Sequence, residues 1–148
     1  MIRTPASVAL ILLTAIACLA RQDGSLAELT AKADRASGGQ QADLCLEVSG
    51  RALKLAIASY KQEKIEDAET SLDQVVTYAD KAHRAAIHSG KRIKHTEIKI
   101  REMAGRLRDL KSDVSADSQP GVQAAIDKLE SFRTQLLKSM FESKKKHD

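Results

Sequence analysis

Aromatic residues are nearly missing from this chain. It has no tryptophan, two tyrosines and two phenylalanines, 3% of the sequence. Single-stranded nucleic-acid and carbohydrate sites rest on aromatic platforms, so neither is expected here. Leucine, isoleucine, valine and alanine must build the core instead. Cysteine is almost as scarce, with Cys18 near the start and Cys45 alone in the body. A single body cysteine allows no internal disulfide framework. Cys45 lies among Leu44, Leu46 and Val48 with nothing basic beside it, which reads as a buried thiol acting as a small hydrophobe.

Catalytic and metal signatures are missing too. There is no Gly-x-Ser-x-Gly elbow and no His-Glu-x-x-His pair. No Cys-x-x-Cys-His haem attachment occurs either. Ser89-Gly90-Lys91 resembles the end of a phosphate loop but lacks the glycine-rich part and the strand before it. Asp80-x-x-His83 has the spacing that sets two ligands on one helix face, yet di-metal bundles need that motif twice plus further carboxylates. The expectation is therefore no catalytic residue, no metal and no cofactor. Strand patterns are absent as well, since no run of alternating β-branched residues lies between turn signals.

What is present begins at the N-terminus. Arg3 precedes an uncharged, mostly apolar run from Ala6 to Ala17, and small residues close it at Ala15, Ala17 and Ala20. That order is an export signal over residues 1–20 and places the remainder outside the cytoplasm, periplasmic or secreted. Cleavage would leave Cys18 or Arg21 as the first residue. The segment Ala15-Ile16-Ala17-Cys18 also resembles a bacterial lipoprotein box, with alanine where leucine is usual; lipidation of Cys18 would tether the protein to a membrane. Retention as an anchor is disfavoured, because a spanning helix needs roughly twenty apolar residues. Export argues against nucleic acid as a partner.

The body carries 43% hydrophobic and 30% charged residues, ordinary for a globular helical protein and too apolar for a disordered one. Residues 21–40 read as a flexible tether holding a short helical turn at Leu26–Ala36, ended by Ser37-Gly38-Gly39. From Gln41 to Lys61, Cys45, Val48, Ala52, Ala56 and Tyr60 step by three or four, with Gly50 inside as a close-approach or bend position. Ile65, Ala68, Leu72, Val75, Ala79, Ala82 and Ala86 form a heptad stripe that resumes, in phase, at Ile93, Ile100, Met103, Leu107, Leu110 and Val114. The last helix carries Val122, Ala125, Leu129, Phe132 and Leu136, started by Ser118 and Pro120. Residues 143–148 read as a basic disordered tail. The fold expected is all-α, an antiparallel helical bundle of three to four long amphipathic helices over residues 41–142.

Ser89-Gly90 leaves two shapes open. Glycine is the usual residue past a helix end, yet the unbroken register allows one helix of about fifty residues, near 75 Å. Charge favours folding back. Residues 63–80 hold six acids and one base, whereas residues 91–111 hold eight bases and three acids. A hairpin would set Asp80 near Lys99 and Asp73 near Arg106. Glu97/Arg101 and Glu102/Arg106 also have the favourable i, i+4 order.

Ala52-x-x-x-Ala56-x-x-x-Tyr60 followed by Ala68-x-x-x-Leu72 resembles one tetratricopeptide hairpin over about thirty residues, without the 34-residue repeat of a solenoid. The resemblance implies a helix-pair interaction surface. The functional expectation is a non-enzymatic extracytoplasmic protein that binds a protein partner or itself through helix faces. Its candidate basic face is Lys91, Arg92, Lys94, Lys99, Arg101, Arg106, Arg108 and Lys111. The alternative is a bundle that binds a small anionic or lipid-like ligand.

Overall fold

The computed structural model describes residues 25–146. The leader, its cleavage positions and Cys18 lie outside the described residues. Those described form five helices and no strand: α1 over residues 25–35, α2 at Gly38–Lys61, α3 at Ile65–Ser89, α4 at Ile93–Asp113 and α5 at Gln119–Lys145. No helix among them is long and apolar enough to cross a membrane.

The sequence leaves the α3–α4 junction open, and Gly90 decides it. Its φ of 68° is left-handed, a conformation glycine adopts without a Cβ clash, and its N–H closes on the Ile87 carbonyl at 3.3 Å. Arg92 is left-handed too, at φ 65°. Two such residues within a three-residue turn reverse the chain. Gln119–Lys145 then starts as expected, with Ser118 before it and Pro120 in its first turn, although Ser118 makes no side-chain cap bond.

Two antiparallel hairpins result. In the first, α2 and α3 share the widest interface. Small residues make that closeness available: Ala52 and Ala56 on α2 and Ala68, Ala79, Ala82 and Ala86 on α3 are all fully buried. Ser49, also buried, donates its hydroxyl to the Val75 carbonyl across the seam at 2.8 Å. In the second hairpin, Arg133 of α5 donates to Glu97 of α4 at 2.7 Å, and Lys111 donates to Gln123 at 2.7 Å.

The hairpins stack with like helices parallel. Bonds between α2 and α4, or between α3 and α5, join residues 49 to 54 apart in sequence. Consecutive helices α3 and α4 meet only as much as α2 and α4 do, while α3 packs more extensively along α5. The core runs through both hairpins, with Val48, Leu53, Val75, Ile100, Leu107, Val122, Leu129 and Leu136 fully buried. Each such leucine or isoleucine contributes about 1.5–3 kcal/mol of burial.

Two expectations are corrected here. The helical turn expected at Leu26–Ala36 is present as α1, but it is docked rather than part of a flexible tether: Leu29 and Ala33 join the core. Asp34 accepts from Lys81 at 2.7 Å and from Tyr78 at 3.1 Å, both on α3. The tail read as disordered from residue 143 is helical to Lys145, though exposed.

Candidate functional site

The eight basic residues of the α3–α4 turn and α4 do not make one face. At 100° per residue, positions seven apart share a stripe. Lys94, Arg101 and Arg108 therefore lie on the flank facing α5, where Arg108 pairs with Glu130. Arg92, Lys99 and Arg106 lie on the flank facing α2, where Arg92 forks onto Asp43 at 2.9 Å. Lys111 is turned inward, half-buried, onto Gln123, and Lys91 stays exposed in the turn.

The charge pairing expected between α3 and α4 is not formed, because α4 packs chiefly on α5 and α3 chiefly on α2. Asp80 instead holds Arg84 at 2.6 Å, and Lys99 holds Glu102 at 3.0 Å. Glu97 turns away from Arg101 into the α4–α5 seam, where its carboxylate is 7% exposed and bonded to Arg133. That bond raises the Arg133 guanidinium pKa, chiefly through the donated hydrogen bond.

Along the α2 flank of α4 runs an open groove of about 540 Å³. Leu46, Gly50 and Met103 form its floor, and Arg51, Lys54, Lys99 and Arg106 stand on its rims against Glu47 and Glu102. Gly50 keeps the groove open. A Cβ built there meets nothing within 4 Å, so the close helix approach considered from sequence does not occur. At one end Asp43 meets His95 at 3.9 Å as well as Arg92. At the other, Arg106 also lines a cleft of about 190 Å³ with Ile57, Tyr60, Leu110 and Val114. Arg106 thus stands between groove and cleft along the two parallel helices. Tyr60 is pushed above the ordinary phenol range by burial, then by Glu69 and Asp73.

The Asp80–His83 pair is structural. His83 is 5% exposed and stacks on Phe132 with ring centroids 4.8 Å apart. Its Nδ1 lies 3.1 Å from Asp80 Oδ1 and its Nε2 lies 3.0 Å from Gln135 Oε1. Both ring nitrogens are engaged by the chain, which leaves no lone pair directed at a metal. Among the described residues no group of three His, Cys, Asp or Glu side chains could hold a metal ion. Cys45 is fully buried, and burial pushes its thiol up to about 11.

One arrangement escaped the sequence reading: charge is sorted to the two ends of the bundle. Chain reversal at Gly90 brings Lys91, Arg92 and Lys94 to the end where α5 finishes in Lys144, Lys145 and Lys146. The far end collects Glu63, Glu66, Asp67 and Glu69 around the start of α3 with Asp109, Asp113 and Asp117, against Lys61, Lys64 and Lys111. The lysine run is visible in the sequence, but its neighbours at that end follow only from the fold. Comparison with protein-family models, with curated proteins and with solved structures finds no match to this chain.

Proposed function

We propose that this is an exported, non-enzymatic interaction protein that seats a helix of a protein partner in the α2–α4 groove. The observation that carries the reading is the groove itself: an open channel between parallel helices, apolar in its floor and charged on its rims. An amphipathic helix lays its apolar face into such a channel and sets its polar flanks against the rims. Gly50 supports the reading, since a Cβ there would meet no atom within 4 Å and would only narrow the floor. Export rests on the leader of residues 1–20, and lipidation at Cys18 would keep the protein at the membrane.

A second reading uses the same channel. Arg51 and Lys99 are paired with Glu47 and Glu102, but Lys54 and Arg106 have no such partner in the lining, which favours a small anionic ligand. Photo-crosslinking tests the first reading. A photoreactive side chain in place of Lys54 should yield one discrete adduct in the native cell envelope, and the same group in place of Lys128 should yield none. Equal labelling from both positions would reject the groove. Loss of crosslinking when a small anion is present during irradiation, with no protein adduct formed from Lys54 in its absence, would favour the second reading. Mass analysis of the mature N-terminus tests export.

A further inference from the structure

The basic end of the bundle has a feature that charge alone does not explain. Arg133 meets Glu97, four residues into α4, so residue 137 is level with the first residue of α4. On the other side His83 meets Gln135, so the end of α3 at Ser89 is level with residue 141. The chain beyond that point projects about one turn, roughly 6 Å, past its neighbours. Phe141 sits where the projection begins and is 65% exposed, the most exposed large hydrophobic among the described residues. Lys144, Lys145 and Lys146 follow it, and all are exposed. Lys91, Arg92 and Lys94 lie at the same end.

Opposing charge at this end is thin. Asp43 is committed to Arg92, and Glu142 lies 3.8 Å from Lys138 on its own helix. A projecting helix end that couples an exposed phenyl ring to a lysine cluster has the chemistry of an interfacial anchor. The ring enters the headgroup boundary while the ammonium groups meet lipid phosphates. The opposite end, rich in carboxylates, is repelled by the same surface, which sets the orientation.

We infer that the Phe141–Lys146 end, together with Lys91 and Lys94, docks the protein on an anionic lipid surface with the bundle standing upright. This does not depend on the groove reading. A docked molecule would present the α2–α4 groove sideways and keep its acidic end farthest from the bilayer.

The sequence contains no tryptophan, so Phe141→Trp supplies a single site-specific reporter in the full chain. Vesicles of phosphatidylcholine alone and vesicles containing phosphatidylglycerol are the probes, with helicity checked by circular dichroism. Emission of the reporter should shift to the blue on anionic vesicles only, and the shift should weaken with salt. Replacing Lys144, Lys145 and Lys146 by glutamine in that background should weaken binding about a hundredfold, at about fivefold per lysine. Replacing Lys64, Arg101 and Lys128, which lie away from this end, makes the same charge change and should leave binding within about twofold. A blue shift on neutral vesicles of equal size would overturn the proposal, as would equal loss in both triple variants. Binding to polyglutamate with no shift on anionic vesicles would overturn it in favour of an acidic polymer.

Discussion

Gly50 gives the sharpest test of the groove. It is the thirteenth of the 24 residues of α2, well inside the helix, and its φ is not left-handed. An added Cβ meets no atom within 4 Å. Nothing in the packing therefore opposes Gly50→Ala, and helix propensity alone sets its effect, about 1 kcal/mol of stabilisation. Gly105, inside α4, has the same open surroundings and the same expected gain. With no shared partner the two changes should add to about 2 kcal/mol, a rise in Tm of about 8 °C for a domain of this size. Gly90 is the counter-case. Its surroundings are also open, but its φ of 68° strains any side chain, so Gly90→Ala should cost about 1 kcal/mol. Urea unfolding followed by circular dichroism reads all three. Destabilisation by Gly50→Ala would mean that α2 and α4 approach closely there, and the open channel would be refuted.

Two further outcomes follow from buried and paired groups. Burial and a thiol pKa of about 11 leave Cys45 protected, so in a Cys18→Ser background it should react with a thiol reagent at pH 8 only as fast as the bundle opens. Prompt reaction in the native protein would contradict its place in the core. Asp34 is held below the ordinary carboxylate range, first by the Lys81 hydrogen bond, with Tyr78 adding to it and burial opposing. Its contribution is therefore present above the unfolded carboxylate pKa and lost as pH falls through the lowered folded value. Amide exchange should show α1 loosening in acid ahead of α2 and α3, and Asp34→Asn should remove that difference.

The helices themselves were legible in the sequence. The 3-4 spacing of Ala68, Leu72, Val75, Ala79, Ala82 and Ala86 marks residues that are all buried on α3. The continuous register from residue 65 to residue 114 was the misleading part. It reads as one rod, but its first half faces α2 and its second half faces α5, and the same period serves two partners. Which helix receives α4 is a tertiary choice that local pattern does not encode. For that reason the expected Asp80–Lys99 and Asp73–Arg106 pairs gave way to Asp80–Arg84 and Glu97–Arg133. Leu29 and Ala33 were too few to announce α1 as a core element, because their burial depends on the α2–α3 surface beneath them. The groove was invisible for a related reason. Arg106 and Lys54 are distant in sequence and become neighbours only when α2 and α4 lie parallel.

The groove and the basic end both depend on reversal at Gly90, which brings α4 alongside α2 and the lysines to one end. Spin labels at Asp67→Cys and Ser112→Cys, both exposed positions at the acidic end, measure it directly in a Cys18→Ser background, with Cys45 too buried to label. Two stacked hairpins place these labels roughly 20 Å apart, about two interhelical spacings. A single continuous helix through Gly90 would hold them near 68 Å, at about 1.5 Å per residue, and that distance would contradict the account.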